Sequence, residues 1–180
     1  MIAANVKRNL LDQLRKSFWA TFDESTVQRH LESICGRPQQ GDLLGQGTHF
    51  ETFALPTTSA TELPKVLKVP RPEFIAKLGI SQVRWWQTQI KRLNQQTALP
   101  LVPPMALVSA GEVWGLVMPR GEHAQRNSGA EQPLNAELTA LENGLRQMGL
   151  KLNDVPQLMA CHQTTFLVDW SDLQQFDDAS

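Results

Sequence analysis

Cysteine, long apolar runs and a surplus of one charge are all scarce in this 180-residue chain. The two cysteines, Cys35 and Cys161, make neither a disulfide framework nor a zinc site, so both are expected to be buried free thiols. No apolar run approaches the ~20 residues needed to span a bilayer, and none of the expected partners is a membrane. The N-terminal "MIAANVKRNLLDQLRKSFWATF" mixes charges through its apolar positions and lacks the continuous core of a secretory signal. A cytoplasmic location is therefore expected. Seventeen Lys and Arg against 18 Asp and Glu leave a formal charge of −1, which gives no electrostatic reason to expect nucleic acid.

What is present suits a globular α+β domain. The hydrophobic fraction of 41% is enough for a sizeable core at this length. Val6, Leu10, Leu14 and Phe18 recur at helical spacing and predict a helix over 4–20. Asp23 or Ser25 can cap a second helix carrying Val27, Leu31 and Ile34, closed by Gly36. These 36 residues read as an N-terminal helical extension that can offer a surface to a protein partner. "GDLLGQGTHFETFAL" predicts a glycine-containing hairpin, and "KVLKV" at 65–69 a strand stopped by Pro70 and Pro72. A helix is expected at 81–95 with Trp86, Ile90 and Leu93 on one face. Two strands then fill "PPMALVSAGEVWGLVMPRGE", turning near Gly111. The polar stretch 123–133 reads as a linker. Leu134, Leu138, Leu141, Leu145 and Met148 mark a buried helix ending at Gly149, and "PQLMAC" with "TFLVD" a last hairpin around His162-Gln163-Thr164.

From residue 43 onward this order, with its key residues, resembles the protein kinase-like fold. "LLGQGTHFETFAL" is similar to the glycine-rich loop, with Gly45 and Gly47; "VLKV" is similar to the third-strand lysine motif, with Lys68. "WGLVMPRGE" resembles the strand entering the hinge, where main-chain groups from Met118 to Gly121 would meet an adenine. "LNDVPQLMACHQTTFLVDWS" resembles a catalytic loop followed by a metal-binding aspartate, with Asp154, Gln157 and Asp169 at the matching places. The resemblance implies an N-lobe over 37–122 and a reduced C-lobe over 123–180. It also implies ATP and Mg²⁺ as ligands.

The chemistry of these residue types agrees with those roles. Glycines let a hairpin backbone approach phosphate oxygens that a Cβ would obstruct. A lysine on the strand beneath supplies a point charge to the phosphates. Asp169 and the amide oxygen of Gln157 can face Mg²⁺, which prefers oxygen donors, and Asp154 can accept a proton from an attacking hydroxyl. Each residue also has a plainer use. Gly45 and Gly47 can simply shape a hairpin, Lys68 can guard a sheet edge, Asp169 can cap a turn with Ser171 or Asp172, and Asp154 can sit in an ordinary "LNDVP" turn.

Several positions depart from the family pattern. Asp154 and Gln157 are only three residues apart, glutamine replaces asparagine, and Trp170-Ser171 follow Asp169 where a glycine is expected. The helix "SQVRWWQTQIKRLNQ" holds no acidic residue to pair with Lys68, and Glu73 follows that lysine by only five positions. Three functions follow: a compact Mg-ATP phosphotransferase, a catalytically inactive nucleotide-binding regulator, or an interaction module using the N-terminal helices and Trp85 or Trp86.

Overall fold

The structure, a computed structural model, describes residues 4–36, 42–123, 131–153 and 157–176. The chain divides into two compact units, one of residues 13–95 and 104–120, the other of residues 1–12, 96–103 and 121–180. Among the described residues no helix is long and apolar enough to cross a membrane.

The first unit is built on one antiparallel sheet of five strands, so the α+β class expected from the sequence is present. Strands β1 (Leu43–Gln46), β2 (Phe50–Ala54), β3 (Lys65–Pro70), β4 (Ala106–Ala110) and β5 (Val113–Pro119) lie in the order β1-β2-β3-β5-β4. The central place of β3 explains its near-continuous apolar sequence: Val66, Leu67 and Val69 are all buried. Directly paired residues share a face, which puts Phe50, Thr52, Lys68 and Leu116 on the same side of the sheet.

That side carries helix α4 (Ile80–Gln95), which buries Trp86, Ile90 and Leu93 as its periodicity predicts. Trp86 stacks on Phe50 at 6.2 Å and meets Trp114 edge-on at 5.6 Å. Such aromatic pairs contribute about 0.5–1.5 kcal/mol each beyond their burial. Trp85 is only partly buried, since adjacent helical residues face different ways. A short helix α3 (Pro72–Ile75) leads into α4, and it begins with proline at the position where a missing N–H costs nothing.

The N-terminal helices dock on this unit. Helix α1 (Ala4–Ala20) buries Leu14 and Phe18, and α2 (Glu24–Gly36) buries Val27 and Leu31 and contacts β4 and β5. Asp23 caps α2 by accepting the Ser25 N–H at 3.1 Å, and the Thr26 hydroxyl bond holds its carboxyl below the ordinary range. Trp19 stays 45% exposed beside Phe22.

The second unit contains α5 (Glu131–Gln147), in which Leu141 and Leu145 are buried. The helix stops at Gly149, whose φ of +73° suits glycine in a left-handed C-terminal cap. A three-stranded sheet joins β6 (Glu122–His123), β8 (Leu158–Cys161) and β9 (Thr164–Leu167), and β7 (Leu150–Leu152) pairs with β10 (Leu173–Gln175). Strands β7 and β10 escape a sequence reading because three residues are too few to display a period.

Some expectations need correction. Within the stretch read as a linker, His123 is in β6 and Glu131–Pro133 begin α5, while 124–130 lie outside the described residues. Cys35 is exposed and Cys161 half-buried rather than both buried, although partial desolvation raises both thiols. His49 is half-buried, its ring 4.4 Å from that of Phe74.

The β8–β9 turn is tighter than expected. Only His162 and Gln163 form it, at φ of 46° and 64°, and Thr164 already belongs to β9. Two left-handed residues match a type I′ turn, for which Asn-Gly is the preferred pair. Replacing both (His162→Asn, Gln163→Gly) should stabilise the protein by about 1 kcal/mol. That would raise the melting temperature by about 2–4 °C in a calorimetric scan.

Candidate functional site

The residues singled out in the sequence fall into two groups, one in each unit. In the sheet unit the β1–β2 hairpin carries Gly45 and Gly47. Its tip is held locally: the Gly47 N–H donates to the Phe50 carbonyl at 2.7 Å, and the Arg71 N–H donates to the His49 carbonyl at 2.9 Å. The Arg71 guanidinium reaches the Gly47 carbonyl at 3.5 Å and the Glu73 carboxylate at 3.6 Å. The hairpin is therefore tethered to the start of α3, while β1 itself is largely exposed.

The reason for glycine differs along the chain. Gly111 and Gly149 have positive φ, and a Cβ on Gly115, Gly121 or Gly144 would run into Leu67, Met159 or Leu99. Neither pressure acts at Gly45. Its φ is not positive, and an added Cβ would meet nothing within 4 Å; at Gly47 the nearest atom is the Phe50 carbonyl oxygen at 3.6 Å. The β1–β2 register does shift between Leu43 and Gly45, an irregularity that glycine accommodates.

Lys68 is half-buried on β3, directly opposite Thr52 of the hairpin and Leu116 of β5. It shares its sheet face with the buried side of α4, which presents Trp86 and Gln89 and no carboxylate. Met118 is fully buried and pairs with Val66. Strand β4 begins opposite Val117, so among the described residues no strand pairs with that edge of β5 beyond it. This leaves main chain near Met118 without a ladder partner on one side.

In the second unit Gln157 lies opposite Val168, the residue before Asp169. The Val168 N–H donates to the Gln157 carbonyl at 2.9 Å, continuing the β8–β9 ladder by one step. Asp169 is the next residue, so both predicted metal-facing residues stand at the end of this hairpin away from its turn. Asp169 also serves its plainer role: its Oδ1 accepts the Ser171 N–H at 3.1 Å and the Ser171 hydroxyl at 2.6 Å. A carboxylate offers about four acceptor sites, so the turn and a cation can share it. Buried Trp170, donating to the Leu167 carbonyl at 3.2 Å, anchors this turn and accounts for tryptophan after the aspartate.

Asp154 lies outside the described residues; the described residues on either side, Asn153 and Gln157, are each hydrogen-bonded. Gln157 is held by Val168, and the Asn153 N–H donates to Asp172 Oδ2 at 2.9 Å. Asp172 was legible only as a helper at the turn; its tie to a residue nineteen positions earlier depends on the pairing of β7 with β10. Among the described residues no group of three or more His, Cys, Asp or Glu can hold a metal by itself. A single carboxylate such as Asp169 suits Mg²⁺ when a substrate supplies further oxygens, because this ion keeps water and uses few protein ligands.

No protein-family model matches the chain, and no curated protein does.

Proposed function

We propose that this protein is a kinase-like Mg-ATP binder in which the Gly45–Gly47 hairpin and Lys68 hold the phosphates. Met118 would supply main-chain contacts to the base, and Asp169 with Gln157 would bind the magnesium ion. The observation that carries this reading is the register of β2 and β3. It sets Lys68 directly beside a hairpin with open space at Gly45, where an added Cβ would meet nothing within 4 Å. Glycine at an exposed strand costs about 0.5–1 kcal/mol relative to alanine, and close approach of a phosphate is, beside the strand irregularity, a reason for retaining such a cost.

As a phosphotransferase, the protein would work by positioning and charge neutralisation, with Asp154 orienting the acceptor hydroxyl. The second reading, binding without turnover, is favoured by α4, which offers Trp86 and Gln89 to the Lys68 face and no acid to position that lysine. Calorimetric titration with Mg-ATP tests the common part. Saturable binding is expected, and its absence with and without magnesium would remove both readings. Slow ATP hydrolysis or autophosphorylation lost in Asp154→Ala would select the enzyme.

Gly45→Ala separates ligand approach from folding. Because the added methyl meets no atom of the protein, the variant should match or exceed the wild type in stability. Its affinity for Mg-ATP should fall about tenfold, or about 1.4 kcal/mol. Unchanged affinity would show that the hairpin does not touch phosphate.

A further inference from the structure

A cavity of about 320 Å³ lies wholly within the second unit, and its lining includes none of the residues assigned to the nucleotide. Its apolar wall includes Leu11, Leu99 and Leu101, while Arg8 from α1 and Glu137 from α5 bring charges of opposite sign to its lining. Thr165 adds a hydroxyl. The volume lies at the small end of the range for metabolite sites, and an apolar wall with a few polar groups is their usual make-up.

Leu101 adds a second observation. It is the one described residue outside a tight hairpin turn that has a side chain and a positive φ, at +61°. The left-handed region costs a leucine about 1–2 kcal/mol. The strain is held by burial of the side chain and by the Leu101 carbonyl, which accepts the Leu167 N–H at 2.7 Å. Strained residues of this kind gather at binding sites, and this one forms part of the cavity wall.

We infer that the cavity binds a small zwitterion with an apolar body, of the class of apolar amino acids. The exposed Arg8 guanidinium can take a carboxylate through two parallel N–H bonds. Glu137, whose carboxylate can accept several bonds at once, would receive the ammonium. The leucine-lined wall receives the hydrocarbon. A simple anion would meet Glu137 and a simple cation would meet Arg8, so each is disfavoured relative to a ligand carrying both charges. This inference does not depend on nucleotide binding, and its test uses no nucleotide.

The probes are leucine, 4-methylpentanoate, which lacks the ammonium, and isopentylamine, which lacks the carboxylate. Each is titrated into the full chain and followed by calorimetry and by thermal shift. Leucine should bind saturably at millimolar concentration or below, and each half-analogue at least tenfold more weakly. Arg8→Gln, at an exposed position, should fold normally and lose at least tenfold in leucine affinity. Ala140→Leu fills the cavity from α5, an exposed site in a helix, and should abolish leucine binding while the thermal transition persists. No saturable response to leucine, equal binding of the three probes, or unchanged leucine affinity in both variants would overturn the proposal.

Discussion

Mg-ATP at about 100 times its dissociation constant should raise the melting temperature by roughly 5–10 °C, since such saturation adds about 2.7 kcal/mol and each kcal/mol moves a protein of this size by about 2–4 °C. Lys68→Ala and Asp169→Asn should each erase the shift. The choice of variants follows from the structure. Lys68 is half-buried, so truncating it removes a charge without opening the core around Leu67. Asp169→Asn keeps an oxygen that can accept from the Ser171 N–H and hydroxyl, so the turn is retained while the negative charge facing magnesium is lost. Both variants should keep a cooperative thermal transition in the absence of ligand. A shift surviving in both would place the nucleotide elsewhere.

The second large effect concerns a lysine that the sequence did not single out. Lys65 is 5% exposed, and its ammonium donates to Glu62 Oε1 at 2.9 Å, to the Thr21 hydroxyl at 2.8 Å and to the Thr21 carbonyl at 3.2 Å. These bonds fasten the end of α1 to the central strand. Glu62→Ala would leave the buried ammonium with neutral acceptors only. Removing one partner of a buried pair costs about 3–5 kcal/mol, and the remaining Thr21 bonds put the expected loss at the low end. A fall in melting temperature of about 6–12 °C should follow.

The same pair sets an acid sensitivity. Glu62 is held down to about 2, chiefly by the Lys65 hydrogen bond and then by the Thr58 N–H and hydroxyl. A carboxyl with a depressed folded-state pKa contributes stability that is complete above its unfolded value, near 4.5. That contribution is lost as the pH falls from there towards 2. Denaturation midpoints measured across this window should decline less steeply for Glu62→Ala than for the wild type. Parallel declines would mean that Glu62 is not the group responsible.

Local pattern was enough for the helices and most of the strands. The 3.6-residue recurrence of Leu14 and Phe18, or of Leu141 and Leu145, survives into the structure as buried stripes. It failed where the signal was chemical rather than periodic. His162-Gln163 turns as tightly as Asn-Gly, because pairing of β8 with β9 forces a conformation that neither residue prefers. It failed again where the partner is distant. That Asp172 holds Asn153 depends on the pairing of β7 with β10, and three-residue strands do not announce their partners.

"KVLKV" shows both sides of the division. The sequence alone determines that Lys65 and Lys68, three positions apart in a strand, point to opposite faces, because side chains alternate with period two. What each face meets is non-local and was decided only by the tertiary structure. Thr21, at the end of α1, and Glu62, three residues earlier in the chain, meet Lys65, whereas Lys68 lies beside the glycine hairpin on the face of α4. Burial with a fixed carboxylate makes the first lysine structural. The second lies beside the glycine hairpin, where the proposed function would have it meet phosphates.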